Sequence, residues 1–433
     1  MLGARRPTTV LPRAIVAVLA ALALGLAIAA APAPAAMPST SGLGGRSGVL
    51  VVDLRTGKTL LQRQASTRRI PASVTKLFTV TTALRTLGPG WAPRTRVLAT
   101  GAAEGDAWRG NLYLVGGGDP TLSRTGLRAL AQQTARALGV RTLHGKVLAD
   151  ASAFDDWQGG DRTGRHVDGD MGGRIGALVL DRGSGQPDPA RRAASVFRSA
   201  LGSAGVAVTG ALGARGAPST ATQVAVLRGP TLAQLAGSIL VPSDNFQAEM
   251  LLKAVFARDG VEGACRVAAG LEPVPDEPQT DVDRPCVEQA TAAAPSTLAS
   301  AIVRERATLR AYIGSTPSLR DGSGLTRRNR VSPLQVVRLL QRANGDLGLG
   351  PTLRAALPQA GRTGTLARRM RGTAAVGRCQ AKTGTINGVS ALAGFCRTIP
   401  GRDVAFAILQ NGVSPASARS AQDRFVAALA ARG

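Results

Sequence analysis

The stretch GRCQAKTGTINGVSALAGFCRT, residues 377–398, predicts a β-hairpin near the C-terminal end of the chain. Two runs of strand-forming residues flank Asn387-Gly388, the dipeptide that most strongly favours a two-residue hairpin turn. Counting outward from this turn places Cys379 opposite Cys396. We therefore expect a disulfide between these two cysteines.

The cysteine content is typical of an oxidising compartment. The chain has four cysteines, and with Cys379 and Cys396 paired, Cys265 is left to pair with Cys286. None has CxxC spacing and there are only two histidines, so a zinc site is not expected. The sequence predicts neither a metal nor another cofactor.

Further strands are predicted at both ends of the chain. GVLVVDLRTGKTLLQR, residues 48–63, reads as a second hairpin, and DVAFAILQNG, residues 403–412, as a strand after the first one. Helical spacing dominates the segments between and after these strands. We expect an α+β fold in which one antiparallel five-stranded sheet is covered by helices.

The middle of the chain differs from both ends in its predicted secondary structure. Residues 91–230 carry short strands and glycine-rich loops, whereas helical patterns resume at residue 231. We therefore expect one domain formed by residues 42–90 plus 231–433, with residues 91–230 as an inserted, β-containing region.

Residues 1–36 have the composition of a secretory signal peptide. Arg5, Arg6 and Arg13 precede an uncharged apolar run over 14–31, and the small residues APAPAA follow. We expect cleavage near residue 35; the alternative is an uncleaved anchor, because the run is close to the minimum length for a membrane span. Both alternatives place the body of the protein outside the cytoplasm.

The formal net charge of the chain is +26. Such a surface suits an anionic partner, which outside the cytoplasm would be an anionic cell wall or a membrane surface. A drift of composition toward arginine, with no partner implied, is the alternative. Nucleic acid fits poorly, because aromatic residues make up only 3% of the chain and the compartment is wrong.

Lysine is rare in this sequence, which draws attention to PASVTKLFT, residues 71–79. Only five of the 53 basic residues are lysine. A desolvated lysine can give up its proton and act as a base, whereas an arginine cannot. Ser73 and Lys76 lie three residues apart at the start of a predicted helix, so Lys76 can reach the Ser73 hydroxyl and activate it as a nucleophile.

Two later stretches supply further polar groups. In PSDNFQAEM, residues 242–250, Ser243 is expected to cap a helix, or else Ser243 and Asn245 project into a cleft to pass a proton and bind a substrate amide. KTGT, residues 382–385, places a lysine, two hydroxyls and a glycine on the strand before the Asn-Gly turn. Such a strand can bind an extended peptide and its terminal carboxylate, with the glycine leaving room for the ligand backbone.

SxxK, SxN and KTG in this order resemble the signature of penicillin-binding proteins and serine β-lactamases. More particularly, the chain resembles the D-alanyl-D-alanine carboxypeptidase/endopeptidase family of the penicillin-binding protein 4 (DacB) type, peptidase family S13. The stretches that carry this resemblance span nearly the whole mature chain: PASVTKLFT, LVGGGDPTL (114–122), VPSDNFQAEML, DGSGLTRRN (321–329) and AKTGTINGVSALAGF.

The resemblance implies a role for each motif residue. Ser73 would attack the D-Ala-D-Ala carbonyl and form an acyl-enzyme, with Lys76 as its base. The remaining catalytic residues would be Ser243, Asn245 and Lys382, and the substrate-binding residues would be Thr383, Gly384 and Thr385. The backbone N–H groups of Ser73 and Thr385 would form the oxyanion hole.

The implied substrates are peptidoglycan stem peptides that end in D-Ala-D-Ala, and the implied inhibitors are β-lactam antibiotics. Whether the enzyme trims terminal D-Ala, cuts cross-links or does both is left open. A serine β-lactamase is the first alternative, although no ExxLN-like stretch lies between Asn245 and Lys382. The second is a non-catalytic cell-wall-binding protein, although such a protein would have no reason to keep every motif residue.

Other notable stretches favour structural interpretations. Asp119 and its neighbouring glycines read as a turn. DGSGL places Asp321 or Ser323 either at the rim of the cleft or in a turn. RTGT, residues 362–365, is similar to KTGT but lacks the lysine and the following strand, so it is not expected to belong to the site.

Overall fold

The structure is a computed structural model that describes residue 3, residues 37–274 and residues 282–432. The expected signal peptide and its cleavage point therefore lie outside the described residues, apart from residue 3. Most of the described chain belongs to one compact unit that begins at Met37. Within the described ranges, no helix is both long enough and apolar enough to cross a bilayer.

The elements are numbered in chain order. The N-terminal part contains β1 (Ser47–Asp53), β2 (Thr59–Arg63) and α1 (Thr75–Leu87). The middle part contains β3 (Arg94–Ala99), β4 (Ala102–Glu104), β5 (Ala107–Arg109), β6 (Leu112–Gly116), α2 (Arg124–Leu138), β7 (Thr142–His144), β8 (Val147–Asp150), α3 (Pro189–Ser203), β9 (Ala207–Val208), β10 (Leu212–Ala214) and β11 (Thr222–Arg228). The C-terminal part contains α4 (Leu232–Leu240), α5 (Asn245–Val255), α6 (Arg258–Ala268), α7 (Arg284–Thr291), α8 (Leu298–Ile313), α9 (Pro333–Gly345), α10 (Gly350–Ala355), β12 (Cys379–Ile386), β13 (Val389–Arg397), β14 (Asp403–Asn411) and α11 (Pro415–Arg432).

The central sheet is built from both ends of the chain. Its strand order is β12-β13-β14-β1-β2, and every neighbouring pair is antiparallel. The α+β class and the five-stranded antiparallel sheet are therefore confirmed. The order also explains how a motif on β12 can meet one beside α1, although more than 300 residues separate them in sequence.

Helices cover both faces of this sheet. Along β14, Ala405 and Ala407 pack into a cluster with α1, α5 and α9. The alternate residues Val404 and Phe406 pack into a second cluster with α11. Because successive side chains of a strand point to opposite faces, a strand buried on both faces needs apolar residues at every position. This is why β14 reads as a continuous apolar run.

The C-terminal hairpin has the register expected from its turn. Cys379 lies opposite Cys396, and Gly388 has a φ of +71°, a left-handed conformation that glycine adopts readily. The structure contains two disulfides, Cys379–Cys396 and Cys265–Cys286, and no free cysteine among its described residues.

The middle of the chain forms two further sheets. Their strand orders are β10-β8-β6-β3-β11 and β4-β5-β7-β9. Helices α2 and α3 pack on these strands around a separate apolar cluster. The loops between β8 and α3 behave differently, because Phe154, Met171 and Ile175 join the cluster of α1 and α5. These loops therefore pack against α1 and α5, the helices that carry the Ser73–Lys76 and Ser243–Asn245 motifs at their starts.

Candidate active site

Ser73 lies in a short 3-10 turn, Ala72–Val74, that leads directly into α1. Ala72 has a φ of +48°, which a non-glycine residue adopts only where the surrounding structure holds the chain. Gly324 packs against this turn so closely that a Cβ at Gly324 would collide with the Ala72 carbonyl. The turn leaves the Ser73 side chain half-buried, and α1 begins with Lys76 on the same side.

Lys76 is the centre of a hydrogen-bonded group. Its side chain is fully buried, and its Nζ donates to Ser73 Oγ at 3.0 Å and to Asn245 Oδ1 at 2.7 Å. A third bond runs from Nζ to the Ser323 carbonyl oxygen at 2.5 Å. An ammonium has three N–H groups, so these acceptors satisfy all of them.

Burial lowers the pKa of Lys76 from about 10.5 to about 8, although the nearby carboxylates of Asp321, Glu249 and Asp244 oppose this shift. A buried cation loses the stabilisation that water would give it, so its proton leaves more easily. At pH 7 about one molecule in ten therefore carries a neutral amine 3.0 Å from the Ser73 hydroxyl. That arrangement can activate a serine as a nucleophile.

Asn245 is the first residue of α5, and both ends of its side-chain amide are held. Its Oδ1 accepts from Lys76, and its Nδ2 donates to the Asp170 carbonyl oxygen at 2.9 Å. Asp244, at the N-cap, accepts from the Gln247 N–H and also receives two hydrogen bonds from Arg182, at 2.8 and 3.0 Å. Loops of the middle region thus fix the start of α5.

Ser243 does not cap α5, so that expectation is wrong; Asp244 takes the position because its carboxylate reaches the Gln247 N–H. Ser243 instead has a φ of +68°, a strained conformation for a residue with a side chain. Its hydroxyl makes no hydrogen bond within the described part of the chain. The structure therefore brings Ser73, Lys76 and Asn245 into one bonded group and leaves Ser243 outside that group.

Strand β12 carries the third motif. Lys382 is buried, its Nζ donates to the Thr383 carbonyl oxygen at 2.9 Å, and burial together with the Lys76 charge lowers its pKa well below the usual value. The Thr383 side chain is also buried, whereas Thr385, farther along the strand, is exposed. This strand therefore offers a buried amine, that of Lys382, and an exposed hydroxyl, that of Thr385.

Gly384 is needed for a different reason from the one expected. A Cβ at this position would lie 2.5 Å from the Pro71 carbonyl oxygen and 3.1 Å from the backbone nitrogens of Ser73 and Val74. The glycine therefore lets β12 pass close to the Ser73 turn. The sequence predicts that this glycine leaves room for a ligand backbone. The atoms nearest to its Cβ position belong to the protein's own backbone instead.

RTGT at 362–365 does touch the site, so its exclusion is wrong. The Thr383 hydroxyl donates to the Thr365 hydroxyl at 2.8 Å, and the Thr365 N–H donates to the Val241 carbonyl oxygen at 3.2 Å. The segment forms a 3-10 turn at Gly364–Leu366 rather than a strand, as its pattern indicates. The segment thus joins Val241, two residues before Ser243, to the strand that carries KTG.

The turn at residues 321–324 lies beneath the site, not at its rim. Asp321 and Ser323 are buried, and the Ser323 carbonyl oxygen accepts from Lys76. Glu249 accepts hydrogen bonds from the N–H groups of this turn and was missed by the sequence reasoning. Its position four residues after Asn245 on the same helix was the available signal, because such residues share a helix face. In the described part of the chain, Asp119 accepts hydrogen bonds from the backbone N–H and the hydroxyl of Thr121, which is the pattern of a structural turn.

Among the described residues, no group of three or more His, Cys, Asp or Glu side chains is placed to hold a metal ion. The groups that meet at the site are a serine hydroxyl, a lysine amine and a side-chain amide. Together with the five-stranded sheet, this arrangement defines a serine-dependent enzyme with the fold of the penicillin-binding proteins.

Comparison with known proteins narrows this class. The model of the D-Ala-D-Ala carboxypeptidase 3 (S13) family matches residues 36–187, 185–276 and 286–432. A D-alanyl-D-alanine carboxypeptidase of Actinomadura sp. (strain R39) is 34% identical, over 89% of this chain and 81% of that protein. Carboxypeptidase DacB of Mycolicibacterium smegmatis is 30% identical, over 88% of this chain and 80% of that protein.

A solved structure agrees with these relatives in fold. Penicillin binding protein 4 (dacB) of Haemophilus influenzae superposes with a TM-score of 0.70 at 20% identity, covering 88% of this chain and 97% of the other. The chain belongs to the D-Ala-D-Ala carboxypeptidase 3 (S13) family. It is therefore a serine-type D-Ala-D-Ala carboxypeptidase rather than a serine β-lactamase or a non-catalytic wall-binding protein.

Proposed function

We propose that this carboxypeptidase hydrolyses D-Ala-D-Ala-terminated stem peptides of peptidoglycan through an acyl-enzyme on Ser73. The observation that carries the proposal is the 3.0 Å hydrogen bond between Lys76 Nζ and Ser73 Oγ, made by a lysine whose burial favours loss of its proton. The neutral amine of Lys76 takes the hydroxyl proton as Ser73 Oγ attacks the carbonyl carbon between the two D-Ala residues.

The tetrahedral intermediate then collapses to the acyl-enzyme. The C–N bond breaks, and the D-Ala amine leaves with a proton delivered through Lys76 and Ser243. The left-handed backbone of Ser243 supports this role, because strain in a fixed turn is typical of functional positions. A water molecule then hydrolyses the ester, which restores the Ser73 hydroxyl and releases the shortened peptide.

The N–H groups of Ser73 and Thr385 would hold the developing oxyanion. The close packing of β12 against the Ser73 turn at Gly384 supports this, because it brings the two backbone segments together. The substrate's terminal carboxylate would lie beside Lys382, Thr383 and Thr385. An arriving carboxylate would favour the charged form of Lys382, which burial alone disfavours.

β-Lactam antibiotics would acylate the same serine. The ring amide takes the place of the D-Ala-D-Ala bond, and the leaving nitrogen stays tethered in the opened ring, so the ester is released slowly. A penicillin binding protein 4 of Haemophilus influenzae has been solved in complex with a β-lactam, and its fold resembles this one with a TM-score of 0.64. D,D-endopeptidase activity on cross-links would use the same nucleophile, Ser73, with the amine of a second stem peptide as the leaving group.

The protein is proposed to act outside the cytoplasm, after export by a signal peptide over residues 1–36 that is cleaved near residue 35. The two disulfides support an oxidising compartment. The net charge, +26 for the full chain and +23 once Arg5, Arg6 and Arg13 are removed with the signal peptide, supports association with an anionic wall or membrane surface rather than with nucleic acid.

Residues 91–230 are proposed to form an inserted unit of the peptidase domain, which comprises residues 42–90 and 231–433. The strands of the two smaller sheets all fall within residues 94–228, which supports this division. The loop contacts to Asn245 and Asp244 suggest that the inserted unit also braces the site.

The test is the release of D-Ala from a synthetic acyl-D-Ala-D-Ala peptide. We expect the mature protein to release one D-Ala per peptide and Ser73→Ala to release none. A cross-linked dimer of stem peptides, offered in parallel, measures the endopeptidase activity. Release by Ser73→Ala at the wild-type rate would contradict the assignment of the nucleophile.

A further inference from the structure

A group of carboxyls lies buried behind the proposed base, and the reaction described above does not use it. Its members are on three different elements: Glu249 on α5, Glu305 on α8 and Asp321 in the turn after α8. Ionised carboxylates are costly to bury unless they are paired or hydrogen-bonded. Two of these carboxyls, Asp321 and Glu249, lie close enough to the buried Lys76 to influence its charge.

Glu249 is joined to Lys76 through a single backbone turn. Its Oε1 accepts from the Gly322 N–H at 3.0 Å and from the Ser323 N–H at 2.8 Å. The carbonyl oxygen of the same Ser323 accepts from Lys76 Nζ at 2.5 Å. The Glu249 carboxyl therefore fixes the orientation of Ser323, whose carbonyl oxygen accepts from Lys76.

We propose that Glu249 is a positioning residue for acyl transfer: it holds the Gly322–Ser323 turn against Lys76, and its charge sets how readily Lys76 gives up a proton. The inference rests on the proposed role of Lys76 as the base. Helix α5 would then position Lys76 in two ways. Asn245 accepts a hydrogen bond from Lys76 directly, and Glu249, one helical turn later, acts through Ser323.

Asp321 and Glu249, the two carboxyls nearest to Lys76, differ in how fully their oxygens are hydrogen-bonded. Asp321 accepts from the Gly324 N–H at 2.9 Å, the Thr326 N–H at 2.7 Å and Asn329 Nδ2 at 2.6 Å, so both of its oxygens are satisfied. Glu249 Oε2 is buried without a hydrogen-bond partner in the described part of the chain. Asp321 is thus the better-stabilised anion, and Glu249 is the group that can change its charge.

Burial raises the pKa of both carboxyls, and for Asp321 the hydrogen bonds from Thr326, Asn329 and Gly324 oppose that shift. Burial, reinforced by the charge of Asp321, raises the pKa of Glu249 from 4.5 to about 7. The charged groups that influence Lys76 are Asp321, Glu249, Asp244 and Lys382. Those that influence or are influenced by Glu249 are Asp321, Glu305, Lys76 and Lys253. Burial raises the pKa of Glu305 well above its usual value and so favours its neutral form.

Glu249→Gln separates charge from geometry. A glutamine oxygen can still accept from both N–H groups of the turn, but the negative charge near Lys76 is gone. Because a nearby opposite charge stabilises the ammonium, its loss should move the acid limb of the acylation profile to lower pH by about one unit. Glu249→Asp keeps the charge and shortens the side chain, so its midpoint should stay near that of wild type while its plateau rate falls at least about tenfold.

The experiment is the rate of acylation by a fluorescent penicillin, measured from about pH 5.5 to about pH 9, where the acid limb reports the essential base of the free enzyme. Glu262→Gln is the matched control, because Glu262 is also buried but pairs with Arg94 on β3 and not with the turn beside Lys76. Its midpoint should equal that of wild type. Thermal unfolding of each variant records any loss of stability separately.

A lower midpoint for Glu249→Gln alone supports the proposal. Equal midpoints for Glu249→Gln and wild type, with a uniform fall in rate at all pH values, would overturn it and leave Glu249 a structural residue. Should Glu249→Gln lack a cooperative unfolding transition, an unchanged plateau rate for Glu249→Asp would overturn it instead. Failure of wild type itself to acylate would contradict the proposed function, which is a different outcome.

Discussion

Replacing Lys76 by arginine tests why a protein with 53 basic residues places one of its five lysines beside Ser73. The variant Lys76→Arg keeps a positive charge and N–H donors for Asn245 and Ser323. It removes only the ability to deliver a neutral nitrogen, because a guanidinium does not lose its proton in a protein. We expect it to abolish acylation.

The size of the effect follows from the pKa of Lys76, which burial lowers to about 8. About one molecule in ten then carries a neutral amine at pH 7, roughly 300 times more than for an exposed lysine. An arginine holds its proton far more tightly than a lysine, so its neutral fraction at pH 7 is roughly one in 10⁵ to 10⁶. The acylation rate should therefore fall by at least about 10⁴-fold, the ratio of the neutral fractions.

The assay is the pseudo-first-order rate of acylation by a fluorescent penicillin at pH 7, followed by gel fluorescence. Lys253→Arg is the matched control, since Lys253 is equally buried and forms an ion pair with Asp155 at 2.5 Å, outside the Ser73 site. It reports the cost of fitting a guanidinium into a buried lysine position. Both variants are first checked for a cooperative unfolding transition.

A rate for Lys76→Arg within tenfold of wild type would refute the assignment of Lys76 as the base. A similar fall in Lys253→Arg would show that the loss comes from packing, not from the missing base. The reasoning holds only if Lys76→Arg folds, loses acylation and differs in this from its control.

Three further outcomes follow from the structure. Gly384→Ala should lower acylation at least about 100-fold, measured with the same penicillin, because its Cβ would force β12 away from the Ser73 turn. Replacing both Cys265 and Cys286 by serine should lower the free energy of unfolding by about 3 kcal/mol in denaturant titrations without changing the acylation rate, since the disulfide closes a loop over a sequence separation of 21. Stability should fall as pH rises from about 4.5 to about 7, because native Glu249 binds a proton that the unfolded chain has lost; the loss is about 3 kcal/mol, and Glu249→Gln should lack it.

Much of the architecture could be predicted from local patterns. The Asn387-Gly388 turn fixes the register of its hairpin, so the facing cysteines follow from counting residues. The continuous apolar runs of β13 and β14 report a sheet covered on both faces. Ser73 and Lys76 are neighbours on one helix, and their contact is therefore a property of helical spacing.

The parts that could not be predicted depend on contacts between distant segments. The bond from Lys76 to Ser323 spans 247 positions in sequence, and no local pattern indicates it. Thr365 reaches Thr383 only because a 3-10 turn brings it beside β12. The sequence places the N-cap of α5 one residue early, at Ser243, because Ser243 and Asp244 are both good capping residues. Only the folded backbone, in which Ser243 has a positive φ and Asp244 accepts from the Gln247 N–H, decides between them.

The central claim, that Ser73 forms the acyl-enzyme, is tested most directly by intact-protein mass after mixing the mature protein with a penicillin. We predict one stable adduct, with the mass of one added penicillin, on wild type and none on Ser73→Ala. An adduct of the same mass on Ser73→Ala would place the nucleophile elsewhere. Rapid hydrolysis of the penicillin without an adduct would contradict a slow-deacylating peptidase, and no reaction with wild type would contradict the account as a whole.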